Sequence, residues 1–242
     1  QKTLIDFFNR DPHAHFFKPS TGIKDSIFAK SMVIRNDERT LVFISVDAIG
    51  ITLDVYKDLQ ARLHRFGFDD VIISATHTHA GPGALSKLKL WSILAADRFD
   101  PDIYYEFTEG IFDSAVQGLL NLKPATLSKL NFKVPGVQKN RAKRPGHFDD
   151  TARLLLARDM SGKYLGGLVN FAIHGTALGS SNLEFSADAP GGIERHLEKA
   201  LMQNQPEFKR PTMLLINAAL GDVKPMHGGV EGIEKTGEIF AE

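Results

Sequence analysis

LVFISVDAIGITLDVYKDLQARLHRFGFDDVIISATHTHAGPG, residues 41–83, is the stretch whose periodicities decide the fold. Its first seven residues are apolar or β-branched up to Asp47, the pattern of a buried strand. Leu53, Tyr56, Leu59, Leu63 and Phe66 then recur at three- and four-residue steps, which is one face of a helix, and Gly67 stops it. Residues 71–76 read as a second short strand that empties into His77-Thr78-His79-Ala80-Gly81-Pro82-Gly83. Strand, helix and strand in that order predict a βαβ unit.

Working outward, residues 27–34 predict a strand before the turn-like Asn36-Asp37-Glu38-Arg39. A helix is expected to open at Pro101 and to run through Ile103, Phe107, Ile111, Ala115 and Leu119 to the breaker Pro124. Leu130, Phe132 and Val134 alternate with polar residues, and residues 152–158 are placed to pair with 164–173 across the turn at 159–163. Pro190 opens a helix to about Met202, and residues 212–218 form a last apolar strand before Gly221-Asp222-Val223-Lys224-Pro225. The pattern predicts an α/β fold: a mixed β-sheet flanked by helices. No repeat, low-complexity tract or linker marks a boundary, so a single domain is expected.

Composition narrows the function. Of 242 residues, 43% are apolar and 24% charged, ordinary for a folded globular chain. Lys plus Arg equals Asp plus Glu at 29 each, so no broad field exists to attract nucleic acid or anionic membrane. With no cysteine, any transition metal must use His, carboxylate or Tyr. No apolar run approaches the roughly 20 residues of a membrane-spanning helix. Residues 88–99, with Leu90, Trp91, Ile93 and Leu94, read as a buried helix, so membrane contact is expected to be peripheral at most.

Histidine is therefore the residue to follow. In α/β sheets, ligands bind beyond the carboxyl ends of strands, and the predicted ends carry Asp47, His77 with His79, His174, and Asn217 with Asp222. On extended backbone, residues two apart share a face, so His77 and His79 are expected to point into one cleft, with His174 as the third imidazole. Two histidines from one strand end and a third from elsewhere build a zinc site that keeps an open position for water. Imidazole also suits copper, iron and nickel. The second His-x-His pair, His13 and His15, reads as surface, and His64, His147, His196 and His227 as solvated or capping residues.

At Thr76-His77-Thr78-His79-Ala80-Gly81-Pro82-Gly83 the chain resembles the neutral ceramidases, zinc amidases whose motif reads Thr-His-Thr-His-Ser-Gly-Pro-Gly. Asn140-Arg141 is similar to the family's Asn-Arg pair, Phe171-Ala172-Ile173-His174 to its second histidine strand, and Ser186-Ala187-Asp188 to its Ser-x-Asp segment. Gly221-Asp222-Val223-Lys224-Pro225 resembles the family's Gly-Asp-Val-Ser-Pro. The resemblance implies that His77 and His174 are zinc ligands and that His79 and Arg141 act on the metal-activated water or the substrate. The implied reaction is hydrolysis of an N-acyl amide in a ceramide-like or other lipid-like small molecule. It also implies that residues 1–242 correspond to the family's N-terminal catalytic domain, incomplete at both ends, and it favours a secreted or periplasmic location.

Two departures bear on this reading. Lys224 replaces the family's Ser, which predicts a substrate-binding role toward a carboxylate or phosphate. The family's remaining zinc ligands, a Glu and a Tyr, lie downstream of the matched region, so the metal needs a ligand from further chain, or one such as Asp47, or the domain is inactive. Competing functions are a non-catalytic ligand-binding member of the same fold and a metal-dependent hydrolase of another bond, such as a phosphoester.

Overall fold

A computed structural model describes residues 19–88, 98–142, 147–203, 205 and 210–242. His13 and His15, and most of the segment 88–99, fall outside these residues. After the short β1 (Gly22–Ile23), β2 (Ala29–Arg35) pairs antiparallel with β3 (Thr40–Val46). Helix α1 (Leu53–Arg65) carries the chain back, and β4 (Asp70–Ala75) joins β3 in parallel, completing the expected βαβ unit. Helix α2 (Pro101–Leu120) starts where Pro101 predicts, because the Asp100 side chain accepts from the free N–H groups of Asp102 and Ile103. Val42, Ile44 and Val46 of β3 pack with Val55, Leu59 and Leu63 of α1 and with Ile111 and Ala115 of α2 in one apolar core.

The second half builds a separate sheet. Strands β5 (Ala125–Lys133), β7 (Thr151–Asp159) and β8 (Tyr164–Phe171) run antiparallel to their neighbours, and β10 (Thr212–Asn217) adds to β8 in parallel. Between them lie β6 (Gln138–Asn140), β9 (Glu184–Phe185) and α3 (Asp188–Gln203), and after them β11 (Val223–Pro225) and α4 (Gly229–Ala241). Phe171, Val169, Met213 and Leu215 pack under α3 and α4, against Ile193, Leu197, Ile233 and Phe240. Two ribbons, β1 with β9 and β6 with β11, complete the pairing. Helix α3 begins two residues before Pro190: Asp188 takes a left-handed φ of 53°, and its carboxylate accepts from the N–H groups of Ala177, Leu178 and Ala189.

The fold is the expected mixed α/β, but its sheet is divided into three- and four-stranded parts for a definite reason. On the outer edge of β10, side chains stand where a neighbouring strand would. The carboxylate of Glu198 accepts from Met213 N–H (3.1 Å) and that of Glu194 from Leu215 N–H (2.6 Å). From the other sheet, Lys30 Nζ donates to Met213 O (3.2 Å) and Ser45 Oγ to Leu215 O (2.7 Å). Lys30 and Ser45 are direct cross-strand partners in β2 and β3, so both reach β10 from one face. Lys30 also pairs with Glu194 (2.8 Å) and Glu198 (3.0 Å), and the exposed Arg210 pairs with Glu198 (2.8 Å).

Two predictions follow from this joint. Replacing Lys30 by Met leaves two buried carboxylates without their shared cation, and the loss of unfolding free energy is expected to be about 3–5 kcal/mol. A change of under 1 kcal/mol in urea denaturation would show that the ion pairs do not hold the sheets together. Burial pushes the Glu194 carboxyl up to about 7 against the pull of Lys30 and the Leu215 N–H, with the Asp47 charge adding to the rise. Since this is above its ordinary value of 4.5, the folded protein holds a proton there that the unfolded chain has released. The contribution of Glu194 to stability therefore declines as pH rises from 4.5 to about 7. Urea midpoints taken across that window should fall less steeply for Glu194→Gln than for the parent; equal slopes would refute the assignment.

Candidate functional site

The carboxyl ends of β4 and β8 belong to different sheets, and Asn217, the last residue of β10, joins them. Its Nδ2 donates to Thr76 O and to Ile173 O, both at 2.8 Å, and its Oδ1 accepts from Ile173 N–H at 3.1 Å. Thr76 and Ile173 are the residues immediately before His77 and His174. Beyond the strap the chains run side by side: Thr78 bridges Gly175 in parallel, and His79 N–H donates to Gly175 O (3.0 Å). A Cβ on Gly175 would lie 2.6 Å from Thr78 Cα and 2.7 Å from His77 O, so only glycine permits this approach.

The result is a cluster of His77, His79 and His174 whose potential ligand atoms all lie within 4.8 Å of one another. Ring centroids stand 4.6 Å apart for His77 and His174, 5.0 Å for His77 and His79, and 5.2 Å for His79 and His174. The convergence is as expected, but its backbone route differs. β4 ends at Ala75, and His77 is in the left-handed region with φ 62°, not extended. That conformation costs about 1–3 kcal/mol for a residue with a Cβ, and it is held by the Ile49 carbonyl bond to His77 Nδ1 (2.6 Å) and by the Thr78 Oγ1 bond to Ser186 O (2.7 Å).

The three imidazoles are not equivalent. His77 turns Nδ1 to the Ile49 carbonyl and His174 turns Nδ1 toward the Leu220 carbonyl (3.3 Å), which leaves the lone pair on Nε2 of each; that of His174 faces Arg141 Nη1 at 3.4 Å. A metal-binding histidine is typically oriented in this way by its other nitrogen. His174 is buried, whereas His79 is exposed and has no side-chain hydrogen bond among the described residues. Partial burial and the neighbouring rings hold the His79 pKa down to about 4; burial chiefly lowers that of His174. The donor set suits a metal. A tetrahedral zinc with bonds of about 2.0–2.1 Å needs nitrogens roughly 3.4 Å apart, within reach of small ring movements from the observed spread.

Arg141 completes the arrangement: its Nη1 lies 3.3 and 3.4 Å from the two ring nitrogens of His174, while its backbone N–H is fixed by Asp222 O (2.7 Å). Lys224 stands exposed in β11, opposite Lys139 of β6. Asp47 does not complete the cluster. Its buried carboxylate accepts from Phe28 N–H (2.9 Å) and Thr76 Oγ1 (3.0 Å), bracing the loop from behind. His64 and His196 serve structure, the first bonded to Phe68 O and the second to Glu234. The Asn217 strap and the close approach at Gly175 were not assigned roles by sequence reasoning, though Asn at a strand end and Gly directly after His174 are their visible traces.

Residues 12–238 match the family model for the neutral/alkaline non-lysosomal ceramidase, N-terminal region. The chain belongs to this family. The resemblance carried by residues 76–83 and the later motifs is thus borne out. Among ceramidase relatives, the neutral ceramidase of Drosophila pseudoobscura pseudoobscura is 27% identical over 233 residues, covering 88% of this chain and 33% of its own length. That of Pseudomonas aeruginosa is 26% identical over 197 residues, 74% of this chain and 29% of its own. The crystal structure of the Pseudomonas aeruginosa neutral ceramidase superposes with a TM-score of 0.76 at 20% identity, covering 92% of this chain and 42% of that one. The ceramidase fold is therefore shared, and the chain spans about a third of the length of the curated relatives it matches.

Asn217→Ala removes three hydrogen bonds that align the two histidine-bearing strand ends. Affinity for a divalent transition metal, measured by competition with a chelating dye, is expected to fall about 10–100-fold, the usual effect of losing an orienting partner. Unchanged affinity in a folded variant would mean that the strap does not position the site.

Proposed function

We propose that His77 and His174 hold a zinc ion and that the site hydrolyses the N-acyl amide bond of a ceramide-like or other lipid-like substrate. The observation that carries this reading is the convergence of the three histidines, whose potential ligand atoms lie within 4.8 Å of one another, with Nδ1 of His77 and of His174 each turned to a backbone carbonyl. The family match and the names of the relatives, neutral ceramidases throughout, support the amide and the lipid. Zinc bound there would lower the pKa of a water to about 7 and polarise the amide carbonyl.

The chain's own residues do the rest. His79, exposed and with no side-chain hydrogen bond among the described residues, is placed to take a proton from the attacking water and return it to the leaving nitrogen as the C–N bond breaks. Arg141 offers N–H donors beside His174, where they meet the carbonyl oxygen as negative charge develops on it. Asn217 and Gly175 keep both strand ends aligned, and the products are a fatty acid and an amine.

Elemental analysis of the purified full chain is the test. About one zinc per chain, lost in both His77→Ala and His174→Ala, is expected, together with turnover of an N-acyl amide. His79→Gln should keep the zinc and lose about 10²–10⁴-fold in kcat. Absence of zinc would leave a non-catalytic binding module, and zinc with turnover of phosphoesters alone would change the bond cleaved. Loss of zinc in His79→Gln would make His79 a ligand.

A further inference from the structure

The β6–β11 ribbon presents an arrangement that amide hydrolysis alone does not require. Lys139 and Lys224 are direct cross-strand partners, so their side chains leave the same face of the ribbon, with Cβ atoms about 4.5–5.5 Å apart. Val223 and Pro225, which flank Lys224, are buried on the opposite face. Arg141 directly follows β6, its backbone N–H on Asp222 O (2.7 Å). Its guanidinium reaches the His174 ring, so this end of the ribbon adjoins the histidine cluster.

Among the described residues, Lys139, Arg141 and Lys224 take part in no ion pair, whereas Lys24, Lys30 and Lys133 each have an acidic partner. Asp222 meets Arg141 only through its backbone carbonyl. Among the described residues, Lys139 donates to Met226 O (3.1 Å), toward the end of the ribbon away from Arg141, which uses one of its three protons, and Lys224 makes no side-chain hydrogen bond. Like charges directly opposed on a ribbon destabilise it, so a pair kept beside a candidate site in a chain of zero net charge calls for a counter-charge from outside.

Resting on the amidase reading above, we propose that Lys139, Lys224 and Arg141 form an anion subsite next to the histidine cluster, which selects acyl amides whose amine part carries a carboxylate or a phosphate. The strand spacing sets the distance. Lys224 stands two residues along β11 from Asp222, whose carbonyl holds the Arg141 backbone, so an anionic group on Lys224 lies roughly 7–10 Å from a carbonyl held by Arg141. Arg141 serves the carbonyl end and the lysines the charged end, as suits a planar donor fork and two mobile point charges.

The test compares N-lauroyl-6-aminohexanoate and O-phosphorylated N-lauroyl-4-aminobutanol, whose anionic groups can reach that distance, with neutral N-lauroyl-4-aminobutanol. Binding is measured by calorimetry on the full chain after chelator treatment, so that turnover plays no part. At low salt the parent is expected to bind at least one of the anionic amides about tenfold more tightly than the neutral one, with the advantage shrinking at 0.5 M salt. Lys224→Ser should reduce that ratio several-fold, Lys224→Glu should abolish it, and Lys224→Arg should retain it. Lys224 is exposed and unbonded, so these variants fold as the parent does; Lys139→Gln, which also loses the Met226 contact, supplies the second arm. The carboxylate and phosphate ligands separately report which anion is preferred. Equal binding of charged and neutral amides by the parent, or a ratio unmoved by Lys224→Glu, overturns the subsite. Failure of the metal-loaded chain to cleave any amide, with the binding preference intact, would instead refute the amidase reading and leave the subsite standing.

Discussion

The outer edge of β10 is the constraint on which the rest of the structure depends. An edge strand exposes a row of N–H and C=O groups that must be satisfied once buried. Here the row is answered by two carboxylates from one turn of α3 and by a lysine and a serine from the neighbouring sheet. Each contact is directional, so the four together fix the register as well as the separation of the two sheets. A strand in the same place would have merged the sheets into one and carried the β4 and β8 ends to other positions. The charged solution costs desolvation, visible in the raised Glu194 pKa, but Lys30 and the strand N–H groups offset that cost locally.

From that edge the geometry passes directly to the histidines. Asn217 ends the same strand whose edge is clamped, and it grips the residues preceding His77 and His174. Gly175 then allows the two loops to touch, and Asp47 and Ser186 support the histidine loop through Thr76 and Thr78. The strained backbone at His77 is therefore held by these separate contacts and by the Ile49 carbonyl on its ring, rather than set by the His-x-His sequence itself. A tripeptide of the same composition without those anchors would relax to φ below zero and turn the ring away.

Much of this was legible in the sequence because it rests on period and punctuation. The βαβ unit follows from an apolar run, a 3.6-residue stripe and a second apolar run, signals that tertiary context seldom overrides at that length. The meeting of His77, His79 and His174 follows from their places at strand ends. Helix α4 was not legible, since Gly229, Gly232 and Gly237 interrupt its apolar residues and glycine ordinarily argues against a helix. The structure gives those glycines a packing role: a Cβ on Gly237 would sit 2.4 Å from His196 Cδ2 and 2.5 Å from Gly192 O, so α3 and α4 cross on bare backbone. Glu194 and Glu198 likewise look in sequence like a solvated helix face. Nothing local distinguishes a carboxylate that meets water from one that caps a strand 20 residues away. The β6–β11 ribbon was missed because three-residue strands carry no period.

The position of the histidines at the joint between sheets has a thermodynamic consequence. His77 and His79 belong to the first sheet's loop and His174 to the second's, so an ion held by both sides closes a contact that the unfolded or splayed chain lacks. Ligand binding to the assembled state alone stabilises it by RT ln(1 + [L]/Kd), about 2.7 kcal/mol at a hundredfold excess over Kd. The clamped edge and Asn217 both lie on β10, so a loosening of that edge that displaced Asn217 would misalign the rings. Linkage then requires the reverse, that an ion on the histidines tightens the packing of β10 against β2 and β3. The clamped edge and the histidine cluster thus share one strand, β10, which sets two histidine-bearing strand ends in register where two sheets meet.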